Sequence, residues 1–140
     1  MEEEKNGIEE ASQAFKEWLY NFRKIKPAII ENDSDMLDEI KIIGEEVFNK
    51  TIEIQESGEL KINLAFPIGK NDQVKFLTYK SRIKAGAVAK ATMKVKFNDP
   101  VGRNNALIAV ASGEMNAIID GMDTADQALC SKLIQFYYLY

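Results

Sequence analysis

The chain has 140 residues, 46% of them hydrophobic and 29% charged, which is the length of one domain and the composition of an ordinary folded protein. It contains no histidine. This excludes Ser-His-Asp and Cys-His nucleophiles, the H-E-x-x-H zinc site and every imidazole acid or base. The single cysteine, Cys130, can form no internal disulfide and no tetrahedral N/S zinc site, so the expected compartment is the cytoplasm. The acidic start Met1-Glu2-Glu3-Glu4, with no apolar stretch behind it, does not read as a signal peptide, and no apolar run approaches the roughly 20 residues that span a bilayer.

Net charge is −4, unevenly placed. Residues 1–60 carry 16 acids and 7 bases, whereas residues 61–140 carry 6 acids and 11 bases. The stretch from Lys70 to Arg103 is net +7.

From Ile8 to Lys26, the residues Ile8, Ala11, Phe15, Leu19 and Phe22 recur at helical steps, with Trp18 widening the stripe, and Pro27 ends the pattern. Asn32-Asp33-Ser34 offers a turn and a cap for a second helix to about Asn49, carrying Met36, Leu37, Ile40, Ile43 and Val47. Thr51 to Gln55 fits either a short strand or the frayed end of that helix. Leu60, Ile62, Leu64 and Phe66 then alternate with Lys61, Asn63 and Ala65 at the period of a half-buried strand. Gly69-Lys70-Asn71-Asp72 has hairpin-loop composition, and Val74 to Tyr79 resumes as a strand with Val74 and Phe76 on one side.

Ser81 can cap a short helix from Arg82 to Ala91, and Thr92 to Phe97 is ambiguous between strand and helix. Asn98-Asp99-Pro100-Val101-Gly102 reads as a loop. A buried helix from Asn104 to Ser112 ends at Gly113, a short segment runs from Met115 to Met122, and Thr124 and Gln127 have capping-box spacing ahead of a last helix. The expected fold class is therefore α+β, predominantly helical. It has an N-terminal helical pair in residues 1–59, then one antiparallel β-hairpin and a C-terminal bundle of three to four short helices in residues 60–140.

The candidate chemistry is sparse. Asp120, Asp123 and Asp126 repeat every third residue ahead of the last helix, where carboxylates cap backbone N–H groups and complement the macrodipole. Asp33, Asp35 and Asp38 fail as a calcium loop, because the sixth position is Asp38 and the twelfth is Gly44. Gly69-Lys70 lacks the first glycine and the Ser/Thr of a phosphate-binding loop. No catalytic, cofactor or metal residues are assigned. Cys130 sits at an apolar helical position with only Lys132 as a basic neighbour, which describes a core thiol.

The basic stretch, with Phe76, Tyr79 and Phe97 as stacking platforms, could track a nucleic acid, but a pI near 5.0 argues against a dedicated binder. The last helix carries aromatic residues on every side. Leu133, Phe136, Tyr137, Tyr138 and Tyr140 are accordingly candidate partner contacts, with packing against the N-terminal helices as the alternative.

Residues 60–140 resemble the small tail assembly chaperones of tailed phages, the family that includes the Mu and related contractile-tail proteins. The matching features are the strands Leu60 to Ile68 and Val74 to Tyr79, the helix from Arg82 to Ala91, Ala106 to Gly113, and Met122-Asp123-Thr124-Ala125-Asp126 opening the last helix. The resemblance implies a non-enzymatic protein without cofactor that binds the tape measure protein, keeps it soluble and helps tube protein polymerise around it in the cytoplasm of the host. Helix-in-groove recognition would be the mechanism. A structural subunit of a phage-like particle, able to contact itself, and a nucleic-acid-binding regulator using residues 70–103 are the alternatives.

Overall fold

Carboxylates open the first helix. The computed structural model describes residues 1–138, and α1 (Glu2–Phe22) begins with Glu2, Glu3 and Glu4 in its first turn, where negative charge meets the positive end of the helix dipole. It therefore starts ahead of the apolar stripe that locates it in the sequence. Phe15, Trp18 and Leu19 are its buried residues. α1 stops at Phe22, ahead of Lys24 with φ 55°, so Pro27 does not end it but starts α2 (Pro27–Glu31), because a ring that fixes φ is suited to a first turn. The short α2 buries Ile30 and was not expected from the sequence.

Helix α3 (Ser34–Phe48) is capped by Asp33, whose carboxylate accepts the Met36 N–H at 3.0 Å. Met36, Ile40 and Ile43 face the core. The α1 and α3 backbones approach closely at Gly44, where an added Cβ would lie 2.9 Å from the Ser12 Cα.

Thr51 to Gln55 resolves into a strand. β1 (Ile52–Ile54), β2 (Leu60–Ile68) and β3 (Val74–Tyr79) form an antiparallel meander, so the expected hairpin carries a third strand on its outer side. Ile52 pairs with Ile62, and Ile62 in turn with Leu77; Leu60 pairs with Tyr79. These residues, with Leu64, make the buried face. The alternation then breaks, because the β2–β3 register shifts between Asn63 and Ile68. Phe66 and Phe76 consequently stand 55% and 48% exposed, and the Lys61 ammonium lies 4.5 Å from the centre of the Phe76 ring.

Four helices follow: α4 (Ala85–Thr92), α5 (Pro100–Ser112), α6 (Asn116–Asp120) and α7 (Thr124–Tyr138). Of Thr92 to Phe97, ambiguous in the sequence, Thr92 ends α4 and the rest forms turns and bends with no strand. The expected loop at Asn98 to Gly102 is half helix: Asp99 accepts the Gly102 N–H at 2.9 Å and Pro100 takes the first position of α5. Gly113 ends α5 in the left-handed conformation, φ 75°, as its position predicts. The cap of α7 is Asp123 in place of Thr124, its carboxylate accepting the Ala125 N–H at 2.9 Å. Gln127 leaves the expected capping box and donates from its side chain to the Asn105 Oδ1 at 3.3 Å.

The architecture is α+β and predominantly helical. One buried cluster runs from Phe15 to Tyr137, drawing on α1, α2, α3, the sheet, α5, α6 and α7. At its centre, Phe15 stacks on Trp18 at 5.4 Å and meets Phe136 edge-on at 5.1 Å, while Tyr137 sits edge-on to Trp18 and Tyr79. The Trp18 Nε1 donates to the Gly58 carbonyl at 2.7 Å, tying α1 to the β1–β2 turn. Among the described residues no helix is long and apolar enough to cross a membrane.

Two glycines give opposite expectations. Gly44→Val forces α1 and α3 apart and lowers stability by about 2 kcal/mol, read as a shifted urea midpoint of Trp18 emission. Gly86→Ala, in open space on α4, raises stability by up to about 1 kcal/mol in the same assay.

Candidate functional site

The C-terminal aromatic residues turn inward. Leu133, Phe136 and Tyr137 are buried among Phe15, Trp18 and Tyr79, so the contact face expected of them is core packing. Tyr138 is half-buried, and Tyr140 lies outside the described residues. The Tyr137 hydroxyl donates to the Lys80 carbonyl at 2.6 Å, and the Tyr79 hydroxyl donates to the Cys130 carbonyl at 3.0 Å. Arg23 donates to the Tyr137 carbonyl at 2.8 Å and holds its guanidinium 4.9 Å from the Tyr137 ring centre. Tyr79 is thus unavailable as a stacking platform for bases.

Burial raises the Tyr79 and Tyr137 hydroxyls well above the ordinary phenol range. It pushes the Cys130 thiol up to about 12, opposed by the hydrogen bond with Tyr79 and aided by the Asp126 charge. A thiol held this way is a packing group at neutral pH. The thiol also lies 3.9 Å from the Met122 sulfur.

The aspartate triplet divides its work. Asp120 accepts from the Asn105 amide at 3.2 Å, and Asp123 caps α7. Asp126, only 5% exposed, points across to the sheet, where its two oxygens accept the Ala65 and Phe66 N–H groups at 2.9 Å each. These donors lie where β2 loses its register with β3, so the carboxylate satisfies N–H groups that the ladder leaves open. Helix capping had been expected of all three, and only Asp123 performs it. Among the described residues no group of three or more His, Cys, Asp or Glu side chains could hold a metal ion.

The surface with the clearest capacity for contact lies around α4. No residue of α4 is buried, and the helix packs chiefly on α5. Beside it, a groove of about 600 Å³ is lined by Ala87, Ala91, Met93 and Val95, with Lys90 and Lys94 at its rim and Asn116 of α6 across it. Met93 and Met115 are 75% and 68% exposed, Val101 is 59% exposed, and Phe97 is fully exposed. Of these four exposed apolar residues, Met93 lines the groove. The sequence offered Phe97 only as a stacking platform for a nucleic acid and gave Met93 no role. The signal was the pair Met93 and Phe97, four residues apart within lysines.

Replacing Asp126 by Asn sets an amide donor against one of two backbone N–H groups, and costs about 3 kcal/mol of stability in urea unfolding. A loss under about 0.5 kcal/mol, the range of plain surface changes, would contradict that role. The raised Tyr79, Tyr137 and Cys130 groups stay protonated when folded but ionise on unfolding above pH 9–10. The unfolded state then binds fewer protons, so stability is full below about pH 9 and falls as pH rises through 10 to 11. Urea midpoints measured across that window test the sign.

No protein-family model matches this chain, and neither a curated protein nor a solved structure matches it.

Proposed function

We propose that this chain is a non-enzymatic phage tail assembly chaperone, which binds the tape measure protein, keeps it soluble and promotes assembly of the tail tube in the cytoplasm of the host. The observation that carries this reading is the open groove beside α4, lined by Ala87, Ala91, Met93 and Val95 together with Lys90 and Lys94, with the fully exposed Phe97 four residues beyond Met93. Such a groove suits an amphipathic helix that lays an apolar stripe on the floor and sets acidic flanks against Lys90 and Lys94. The order of two strands followed by short helices in residues 60–138 also supports it, since that order underlies the resemblance to the tail chaperones. Reversible cover for an insoluble partner needs no chemistry beyond this surface.

Coexpression with the long helical protein encoded just downstream tests the proposal. A soluble complex is expected only when this chain is present, and Phe97→Asp together with Met93→Asp reduces capture by about tenfold, the scale of one lost anchor. Absence of a complex, with the chain recovered in stoichiometric amounts from purified particles, would make it a structural subunit. Absence of a complex with a salt-sensitive shift of DNA or RNA would make it a nucleic-acid-binding regulator.

A further inference from the structure

Helices α4 and α5 pack on each other, and residues 93–99 join them. Tight turns build this connection: the Val95 N–H donates to the Thr92 carbonyl and the Asp99 N–H to the Lys96 carbonyl, each at 3.1 Å. Neither α4 nor the connection buries a residue. Met93, Phe97 and Val101 are the exposed apolar side chains at this end of the helix pair. Phe97 and Val101 line neither the α4 groove nor the cavity of about 360 Å³ in which Lys94, Val95, Lys96 and Asp99 meet α5 and α6. A helix lying in the groove would leave them in water.

The same segment is strongly basic. Residues 80–103 carry seven lysines and arginines against one acid, Asp99, which is engaged in capping α5. None of the ion pairs among the described residues involves any of the seven. The acids lie elsewhere, eleven of them against three lysines on α1 and α3, and α1 packs chiefly on α3. A projecting aromatic ring and aliphatic tips set among unpaired lysines match a surface that is anionic outside and apolar just beneath, which is a bilayer containing acidic lipids. A nucleic-acid backbone would use the lysines but gives Met93 and Val101 nothing to enter, since neither has a plane on which a base could stack.

We infer that the turn between α4 and α5 binds the surface of an anionic lipid bilayer, with Phe97 entering the headgroup region and Lys94 and Lys96 on the lipid phosphates. Their long stems let the ammonium groups stay at the phosphates while the ring goes deeper. The acidic pair α1 and α3 is repelled by the same lipids, so the chain meets the bilayer through this turn and lies on it without spanning it. One aromatic anchor with a basic cluster gives reversible binding that salt weakens. The inference goes beyond the proposed function and needs no tape measure protein.

Cosedimentation of the full chain with vesicles of phosphatidylcholine alone, or mixed with phosphatidylglycerol, gives the readout. The chain should sediment with the mixed vesicles at low salt, be released at high salt, and ignore phosphatidylcholine alone. Phe97→Ser should lower the partition coefficient by about tenfold, the scale of one aromatic side chain returned to water. K94E/K96E should lower it by about tenfold or more. All three positions are exposed, and circular dichroism checks that each variant is folded. Phe97→Trp should keep binding and add a blue-shifted emission on mixed vesicles, over the constant background of the buried Trp18. No binding to mixed vesicles, equal binding to phosphatidylcholine alone, or binding unmoved by Phe97→Ser overturns the inference. Binding that is lost in K94E/K96E, unmoved by Phe97→Ser and matched by a shift of DNA or RNA overturns it in favour of a general polyanion surface. Capture of the tape measure protein without vesicle binding overturns it and leaves the proposed function standing. Vesicle binding of the stated pattern without such capture supports it and removes that function.

Discussion

The Asp126 carboxylate, held between the N–H groups of Ala65 and Phe66, is the contact on which the relation of the last helix to the sheet depends. A sheet that loses register in one strand must leave backbone donors unpaired, and a buried unpaired donor costs about 1–3 kcal/mol. By placing an acceptor there, α7 both removes that cost and fixes its own height along β2. With α7 so placed, Cys130 and Tyr137 come within reach of Tyr79 and Lys80, and Phe136 reaches Phe15. One side chain thus links the irregularity of a strand to the aromatic centre of the core.

Periodicity made most of the helices legible, because Phe15, Leu19, Met36, Ile40 and Ile43 repeat at the step of a helix whose one side is dry. It failed where one residue type performs two tasks. Pro27 and Pro100 read as breaks, and both begin helices, since a ring that fixes φ suits a first turn. The strand pattern through Phe66 failed because alternation carries no record of a register shift. Asp126 was equally illegible: its spacing matched a helix cap, and its partners lie about sixty residues earlier in the chain.

The candidate site shows the same division. The aromatic residues of the last helix left open both a partner contact and packing against the N-terminal helices, and Phe136 and Tyr137 are buried because α1 supplies Phe15 and Trp18 to pack against them. The segment from Lys90 to Phe97 invited an electrostatic reading, and its exposed Met93 and Phe97 make it an apolar one as well. Whether an apolar residue is core or surface is decided by what the rest of the chain brings to it, which no local pattern contains.

That distinction bears on Phe97, which the fold leaves fully exposed. Burying the ring within the fold would need another layer over α4, and the chain's other helices are already committed to the cluster around Trp18 and Tyr137. Phe97 therefore stays at the surface, beside Lys94 and Lys96 in the sequence, while Lys90 and Lys94 line the groove next to α4 with Met93 and Val95.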